Sequence, residues 1–315
     1  MAVNESLATT GFKAVVFRHL GHYGRLGNQM FQLAALIGVA NHYGVQWGYP
    51  KTNDRLPSTI SMYGEHCVLP YLFPSIRDLN RWEDDWDDRT CRFVESTEDY
   101  DSGLALMNSL KAPVASTSFA RPSTLDLHGY FQSEGFFSKT PVAIESVRNA
   151  FRFSDSVLAE TARFPVERYA GFAGLHVRRG DYLRLSHVLP PLPAAYYRSA
   201  MASMPAAAGF LVFGCTDQES RQWAKANLVD DAGRPVVLVD DVRKPVHPDQ
   251  DIAAGSDMHL FSTLSQVAIS NSTFAWWGAW LNEDRIGKNV FAPKTWFGPR
   301  GPKASCLVPE RWRTL

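Results

Sequence analysis

Residues 171–182 read Gly171-Phe172-Ala173-Gly174-Leu175-His176-Val177-Arg178-Arg179-Gly180-Asp181-Tyr182, and their reading decides the fold. The apolar opening has the length of a buried strand, and the charged ending falls where that strand runs out into a loop. In an open α/β sheet the carboxyl ends of the strands form the ligand crevice. Arginine there can fork onto two phosphate oxygens and cannot lose its proton, so it suits a diphosphate ligand or leaving group. The plainer alternative is a structural ion pair at the strand end, Arg178 or Arg179 with Asp181.

Working outward, strand and helix signals alternate through the second half. Residues 193–204 predict a helix with proline at its first position, and 210–213 a short strand. Thr216 and Glu219 stand at capping-box spacing and open the next helix. Residues 235–239 predict a strand, 249–264 a helix, 266–269 a strand, 272–281 a helix and 289–292 a last strand. That rhythm implies a parallel sheet covered on both faces. The first half starts alike, with a strand at 14–17, a glycine-bearing loop and a helix over 28–42 whose stripe is Met30, Ala34 and Ile37. Residues 51–125 read as irregular connections and short helices, with the acidic run 83–88 as a solvated face. The pattern loosens over 151–167. The expected division is therefore an N-terminal α/β domain, 1–155, and a C-terminal α/β domain, 156–315. The expected fold class is α/β, two Rossmann-like domains facing a cleft.

Composition narrows the partners. Lys+Arg and Asp+Glu both number 32, so the formal net charge is zero, without the basic excess of a nucleic-acid footprint. Cys67, Cys91, Cys215 and Cys306 form no CxxC pair, which argues against a zinc site or disulfide framework. No apolar run reaches the ~20 residues of a membrane span, and no signal-peptide pattern opens the chain. A glycan on the sequon Asn271-Ser272-Thr273 would block the crevice. The expectation is a soluble, cytoplasmic protein.

Two further blocks carry chemistry. Gly24-Arg25-Leu26-Gly27-Asn28-Gln29-Met30-Phe31-Gln32 lies between a strand and a helix. Its glycines allow close backbone approach, and the helix N-terminus favours an anion. The spacing is not GxGxxG and no Walker lysine follows, so an oxidoreductase or P-loop reading is weak. Ser270-Asn271-Ser272-Thr273-Phe274-Ala275-Trp276-Trp277-Gly278-Ala279-Trp280-Leu281 puts Ser272 and Thr273 at another anion-binding helix start. Trp276, Trp277 and Trp280 read as core packing, with at most two of them on one helical face. Asp217 follows a strand, and Asp257 lies on the helix before the Ser-Thr-Phe block. Either can accept from a ribose hydroxyl or a guanine edge, and Asp257 can instead partner an arginine. Asp249-Gln250-Asp251 spells DxD but reads as an acidic helix cap, and no metal is expected.

These three blocks, in this order and at these separations, resemble the α-1,2-fucosyltransferase family of inverting, GDP-fucose-dependent glycosyltransferases (family 11), over roughly residues 14–295. His128-Gly129-Tyr130-Phe131-Gln132 resembles that family's GYFQ segment. The resemblance implies the two-domain GT-B architecture, with domain 1–155 on the acceptor side, domain 156–315 binding the GDP-sugar, Arg178 as phosphate clamp and Asn28 beside the fucose and diphosphate. Ser272 and Thr273 would hold the β-phosphate, and Arg179 would tie its loop down through a carboxylate. Asp181 is either the general base or the orienter of Arg179, with His187 as second candidate for the base. Gly27, Gln29, His176, Arg179, Asp217, Asp257 and Phe274 complete the substrate-binding set. The implied reaction moves L-fucose from GDP-β-L-fucose to the 2-OH of a terminal galactose, with inversion and without metal. Another GDP-deoxysugar or linkage, or a non-catalytic glycan-binding protein on the same fold, is the alternative. Here Gln218 follows Asp217 where many members carry a second acid, and the loop before Gly24 is longer than usual.

Overall fold

The structure is a computed structural model and describes residues 12–55, 66–83, 90–96, 98–109, 123–243, 247–281, 283 and 289–315. The chain forms two compact units, Met1–Arg152 with Lys303–Leu307, and Phe153–Pro302 with Val308–Leu315. Sequence alone puts the junction at 155/156 and gives the whole tail to the second domain. The structure returns 303–307 to the first unit because its backbone is bonded there. Tyr100 N–H donates to Lys303 O at 2.9 Å and Lys303 N–H to Glu98 O at 2.9 Å. The Asp101 carboxylate accepts from Ser305 N, Ser305 Oγ and Cys306 N at 3.0, 2.9 and 2.7 Å.

In the first unit the strands are β1 (Ala14–Val16), β2 (Gln46–Gly48), β3 (Thr90–Val94) and β4 (Thr124–His128). Its helices are α1 (Leu26–Tyr43), α2 (Leu69–Leu72), α3 (Ser75–Leu79), α4 (Tyr100–Ser109) and α5 (Pro141–Ala150). The sheet is parallel in the order β2-β1-β4-β3. Helix α1 is buried over most of its length and ends on Gly44, whose φ of 64° suits the left-handed cap. The reading of 51–125 as irregular connections with short helices needs correction, since β3 and the start of β4 lie in it. β3 is an edge strand with one buried residue, so it carries no apolar run. β4 buries Asp126 between its leucines, and Arg18 and Arg92 flank that carboxylate at 3.6 and 3.5 Å. A charge inside a strand hides the pattern until its partners are known. Most of the acidic run 83–88 lies outside the described residues.

The second unit holds β5 (Ala173–His176), β6 (Phe210–Phe213), β7 (Val236–Leu238), β8 (Gln266–Ala268), β9 (Asn289–Ala292) and β10 (Arg313–Thr314). Its helices are α6 (Asp155–Thr161), α7 (Ala194–Ala202), α8 (Gln218–Asn227), α9 (Val239–Val242), α10 (Gln250–Thr263) and α11 (Thr273–Trp280). The sheet runs β10-β9-β8-β5-β6-β7, every pair parallel. Counted along the unit this is the doubly wound order, which reverses direction between β5 and β8. Those are the strands that feed HVRRGDY and SNSTF.

Three local expectations shift. Pro193 is the N-cap of α7, not its first residue. Asp217 rather than Thr216 caps α8, its carboxylate accepting from Ser220 N, so no Thr216–Glu219 box forms. β10 was not expected, being two exposed residues long. Asp249 caps α10 as read, accepting from Asp251 N and Ile252 N. Trp276, Trp277 and Trp280 are all buried, with Trp276 stacked on Trp280 at 6.3 Å and Trp277 edge-on to both. A helix buried all round needs no single apolar face. No helix among the described residues is long and apolar enough to cross a membrane.

Candidate functional site

The carboxyl edge of the second sheet gathers the sequence-predicted residues around the reversal between β5 and β8. His176, the last residue of β5, is fully enclosed and places Nδ1 2.8 Å from Ser270 Oγ beyond β8. Its ring lies 5.5 Å from that of Phe274. Burial first, and then the Arg178 charge, push its pKa down to about 3, so the imidazole is neutral. Tyr182 Oη donates to Asn271 O at 3.1 Å and ties the same two loops again. Asn271 is itself buried, its Nδ2 donating to Pro190 O and Trp296 O at 2.9 and 3.0 Å. The sequon asparagine is thus a brace inside the edge.

The arginines divide differently from the expectation. Arg178 is the one that pairs with Asp181, at 2.8 and 2.9 Å to its two oxygens. It also lies over the Tyr182 ring at 5.2 Å. Arg179 packs over Trp223 at 4.2 Å and makes no ion pair among the described residues. A flat guanidinium stacks on an indole as readily as it pairs, and sequence spacing does not distinguish the two. The Nε atoms of Arg178 and Arg179 are both buried without a partner, two donors unused at the edge where an anion would sit.

Ser272 is the N-cap of α11 and uses no side-chain cap bond; Thr273 and Phe274 form the first turn. The first-turn N–H groups of a helix have no intrahelical acceptor and carry its positive end. The β6 loop closes the other side. Gly214 has φ 81°, and a Cβ there would stand 2.2 Å from Val177 O, so only glycine lets these loops meet. Asp217 accepts from Ser220 N and Oγ at 2.8 and 2.6 Å. Burial acts to raise its pKa, but the Ser220 bonds outweigh that and hold it below the usual carboxylate range. Gly180 N–H reaches Ser220 Oγ at 3.4 Å, which links this cap to HVRRGDY.

Asp257 lies on α10. It pairs inside the unit with Arg243, which also donates to Ser256 Oγ at 2.6 Å and lies 3.7 Å from Glu160. Burial first, opposed by Arg243, pushes the Asp257 pKa up to about 6. The arginine-partner role foreseen from sequence is the one it fills. His187 lies beside the 297–301 loop, its carbonyl accepting from Arg300 N at 3.2 Å.

The first unit has its own carboxyl edge, where the loops after β1 and β4 meet. Gln29 is not exposed for a substrate. Its Nε2 donates to Gly24 O and His66 O at 3.2 and 3.0 Å and its Oε1 accepts from Val68 N at 2.9 Å. Gln29 therefore builds the loop, and Gly27 is buried within the first turn of α1. Asn28 is partly exposed, and its Oδ1 accepts from Gln132 Nε2 at 3.0 Å, so the GNQ loop and the GYFQ segment share one bond. His19, Tyr23 and His128 pack edge to face beside it, with centroids 5.1 to 6.1 Å apart. Sequence reasoning passed over Ser270, Tyr182, Arg243 and Glu95, all single polar residues whose partners are distant in the chain. All four cysteines are free.

A doubly wound parallel sheet with arginines and a helix N-terminus at its reversal is the form in which α/β proteins bind phosphorylated ligands. The chain belongs to glycosyl transferase family 11, whose model matches residues 114–298. It is 32% identical over 154 residues to the O-antigen biosynthesis glycosyltransferase WbnK of Escherichia coli, covering 46% of this chain and 45% of that one. It is 25% identical over 308 residues to an alpha-1,2-colitosyltransferase of Escherichia coli, 92% of this chain and 95% of that one. It is 26% identical over 277 residues to galactoside alpha-(1,2)-fucosyltransferase 1 of Ateles belzebuth, 82% of this chain and 63% of that one. The match thus spans about half the length of the first of these relatives and nearly all of the second. Two α/β units with parallel sheets are the components that the GT-B architecture combines.

Proposed function

We propose that this protein transfers L-fucose from GDP-β-L-fucose to the 2-OH of a terminal galactose on an acceptor glycan, with inversion to an α-linkage. The observation that carries the reading is that the adjacent strands β5 and β8 feed, respectively, Arg178 and the α11 N-terminus at Ser272 and Thr273, in loops tied by His176 to Ser270 and by Tyr182 to Asn271. The acceptor oxygen attacks the anomeric carbon, and the bond from that carbon to the β-phosphate oxygen breaks. Its electron pair leaves on GDP, where a fixed guanidinium and helix N–H groups stabilise the growing charge. Asn28 orients the fucose or the β-phosphate. The proton of the acceptor hydroxyl goes to a base, Asp181 in the first instance. Because Arg178 holds both Asp181 oxygens, the base and the clamp then act as one coupled pair. No metal is needed in this reading, since arginine and helix terminus supply the positive charge.

The test is transfer from GDP-fucose to lactose with chelator present, read by product mass and linkage. An α-1,2-linked fucosyllactose is the expected product. Release of free fucose and GDP without transfer would keep the donor and reject the acceptor; no turnover at all would reject the donor. A second reading, another GDP-deoxysugar donor, is favoured by the colitosyltransferase relative, which aligns over nearly the full length of both chains. A panel of GDP-fucose and GDP-colitose at matched concentration separates the two by kcat/KM.

A further inference from the structure

One buried acid in the first unit has no place in the chemistry above. Glu95 follows β3 and is almost wholly enclosed, and no cation stands against it among the described residues. Its N–H donates to His128 O at 2.9 Å. Its Oε2 accepts from Tyr130 N at 2.8 Å and Phe131 N at 2.6 Å, while Oε1 has no partner. One residue thus grips the turn after β4 from both sides.

The turn is one that a chain avoids unless held. Phe131 has φ 53°, the only non-glycine residue at positive φ among the described residues, and Gly129 has φ 157°. A Cβ at Gly129 would fall 2.5 Å from Glu95 Cβ. A left-handed residue with a side chain is strained and persists only where its surroundings over-determine it. Here the carboxylate holds the backbone, and Phe17 and Phe136 hold the Phe131 ring at 5.8 and 5.1 Å. The next residue is Gln132, whose amide meets Asn28 Oδ1.

We propose that Glu95 and Gln132 are positioning residues that set the orientation of the Asn28 carboxamide. Glu95 fixes the strained turn, and Gln132 places an N–H donor on the Asn28 oxygen. That bond turns the Asn28 oxygen toward Gln132 and its N–H side away from it. Gly24 leaves room for that side, because a Cβ there would stand 2.2 Å from Asn28 Nδ2. The inference deepens the reading of Asn28 as a donor ligand and rests on it. The titratable groups facing Glu95 are Tyr100 from α4 and Cys306 from the returning tail. Burial pushes the Glu95 pKa up to about 7 against the pull of the Phe131 and Tyr130 amides.

The experiment compares the full chain with E95Q, E95A, Q132A, Q132E and E95A/Q132A. In transfer from GDP-fucose, E95A and Q132A each lower kcat by about 10²-fold, the order of loss when a positioning group shifts by ~1 Å. The double variant loses no more than either single, because the two act through one bond. E95Q keeps the accepting oxygen and stays within about threefold of wild type, and Q132E, which turns the Asn28 amide over, is worse than Q132A. Amide resonances are read alongside. Tyr130 and Phe131 N–H shifts titrate near neutral pH in wild type and not in E95Q. The Asn28 side-chain signals move in Q132A, and in E95A if that variant folds. Wild-type kcat in Q132E, additive losses in the double variant, or Asn28 side-chain signals unmoved in Q132A would overturn the proposal. A wild type inactive on GDP-fucose would remove the donor reading alone, since the amide signals decide the positioning without turnover.

Discussion

Arg178 carries the largest single expectation. Arg178→Ala should cost about 10²–10³ in kcat, the scale of one lost donor to a developing oxyanion, with the fold kept. A well-folded variant with wild-type turnover would remove the clamp. Arg243 is the opposite case, a buried charge with a structural role. Arg243→Ala leaves Asp257 and Glu160 without their shared cation, and breaking such a buried pair costs about 3–5 kcal/mol, read as a fall in denaturation midpoint. His176 gives a pH expectation with a definite sign. Its folded pKa lies below its unfolded value of 6.5. The unfolded chain therefore binds the extra proton first, and the stability contributed by the neutral ring is full above 6.5 and lost as pH falls toward about 3. Glu95 runs the other way, its contribution present below 4.5 and lost as pH rises through about 7. Ring resonances of His176 that stay in the neutral form from pH 7.5 down to about 4.5 are expected; a titration near 6.5 would contradict its enclosure.

Among the elements, helix α8 shows how a cap is chosen. Thr216 and Glu219 have capping-box spacing, yet the chain leaves β6 so that the carboxylate of Asp217, not the Thr216 hydroxyl, meets the Ser220 N–H. Asp217→Ala should cost about 1 kcal/mol of stability and Thr216→Ala less than ~0.5 kcal/mol, compared by thermal melts. The reverse ranking would restore the box. Strand β5 was plain in the sequence because it is central, short and apolar, whereas β3 is an edge strand with one buried residue and no apolar run. The GNQ loop was also plain, but its parts were not. Gln29 looks as polar and available as Asn28 in the sequence, and only the backbone of 21–24 and 66–68 consumes it.

At the level of the molecule, the tail is shared between two compact units, with 303–307 in one and 308–315 in the other. Asp101 is the post to which the first part is tied, through Ser305 and Cys306. Asp101→Ala should lower the stability of the first unit by about 1–2 kcal/mol, the range for a few partly exposed hydrogen bonds, with the second unit's melting unchanged. The class of the fold and the parallel sheet of the second half were legible from the sequence by itself. They rest on local periodicity. Which arginine meets Asp181, which polar residue of the GNQ loop the backbone consumes and which acid holds a strained turn were decided only by the tertiary structure. Trp223 occupies Arg179, and the partners of Glu95 and Asn28 lie 35 and 104 residues away along the chain; a local pattern holds no information about who arrives from there.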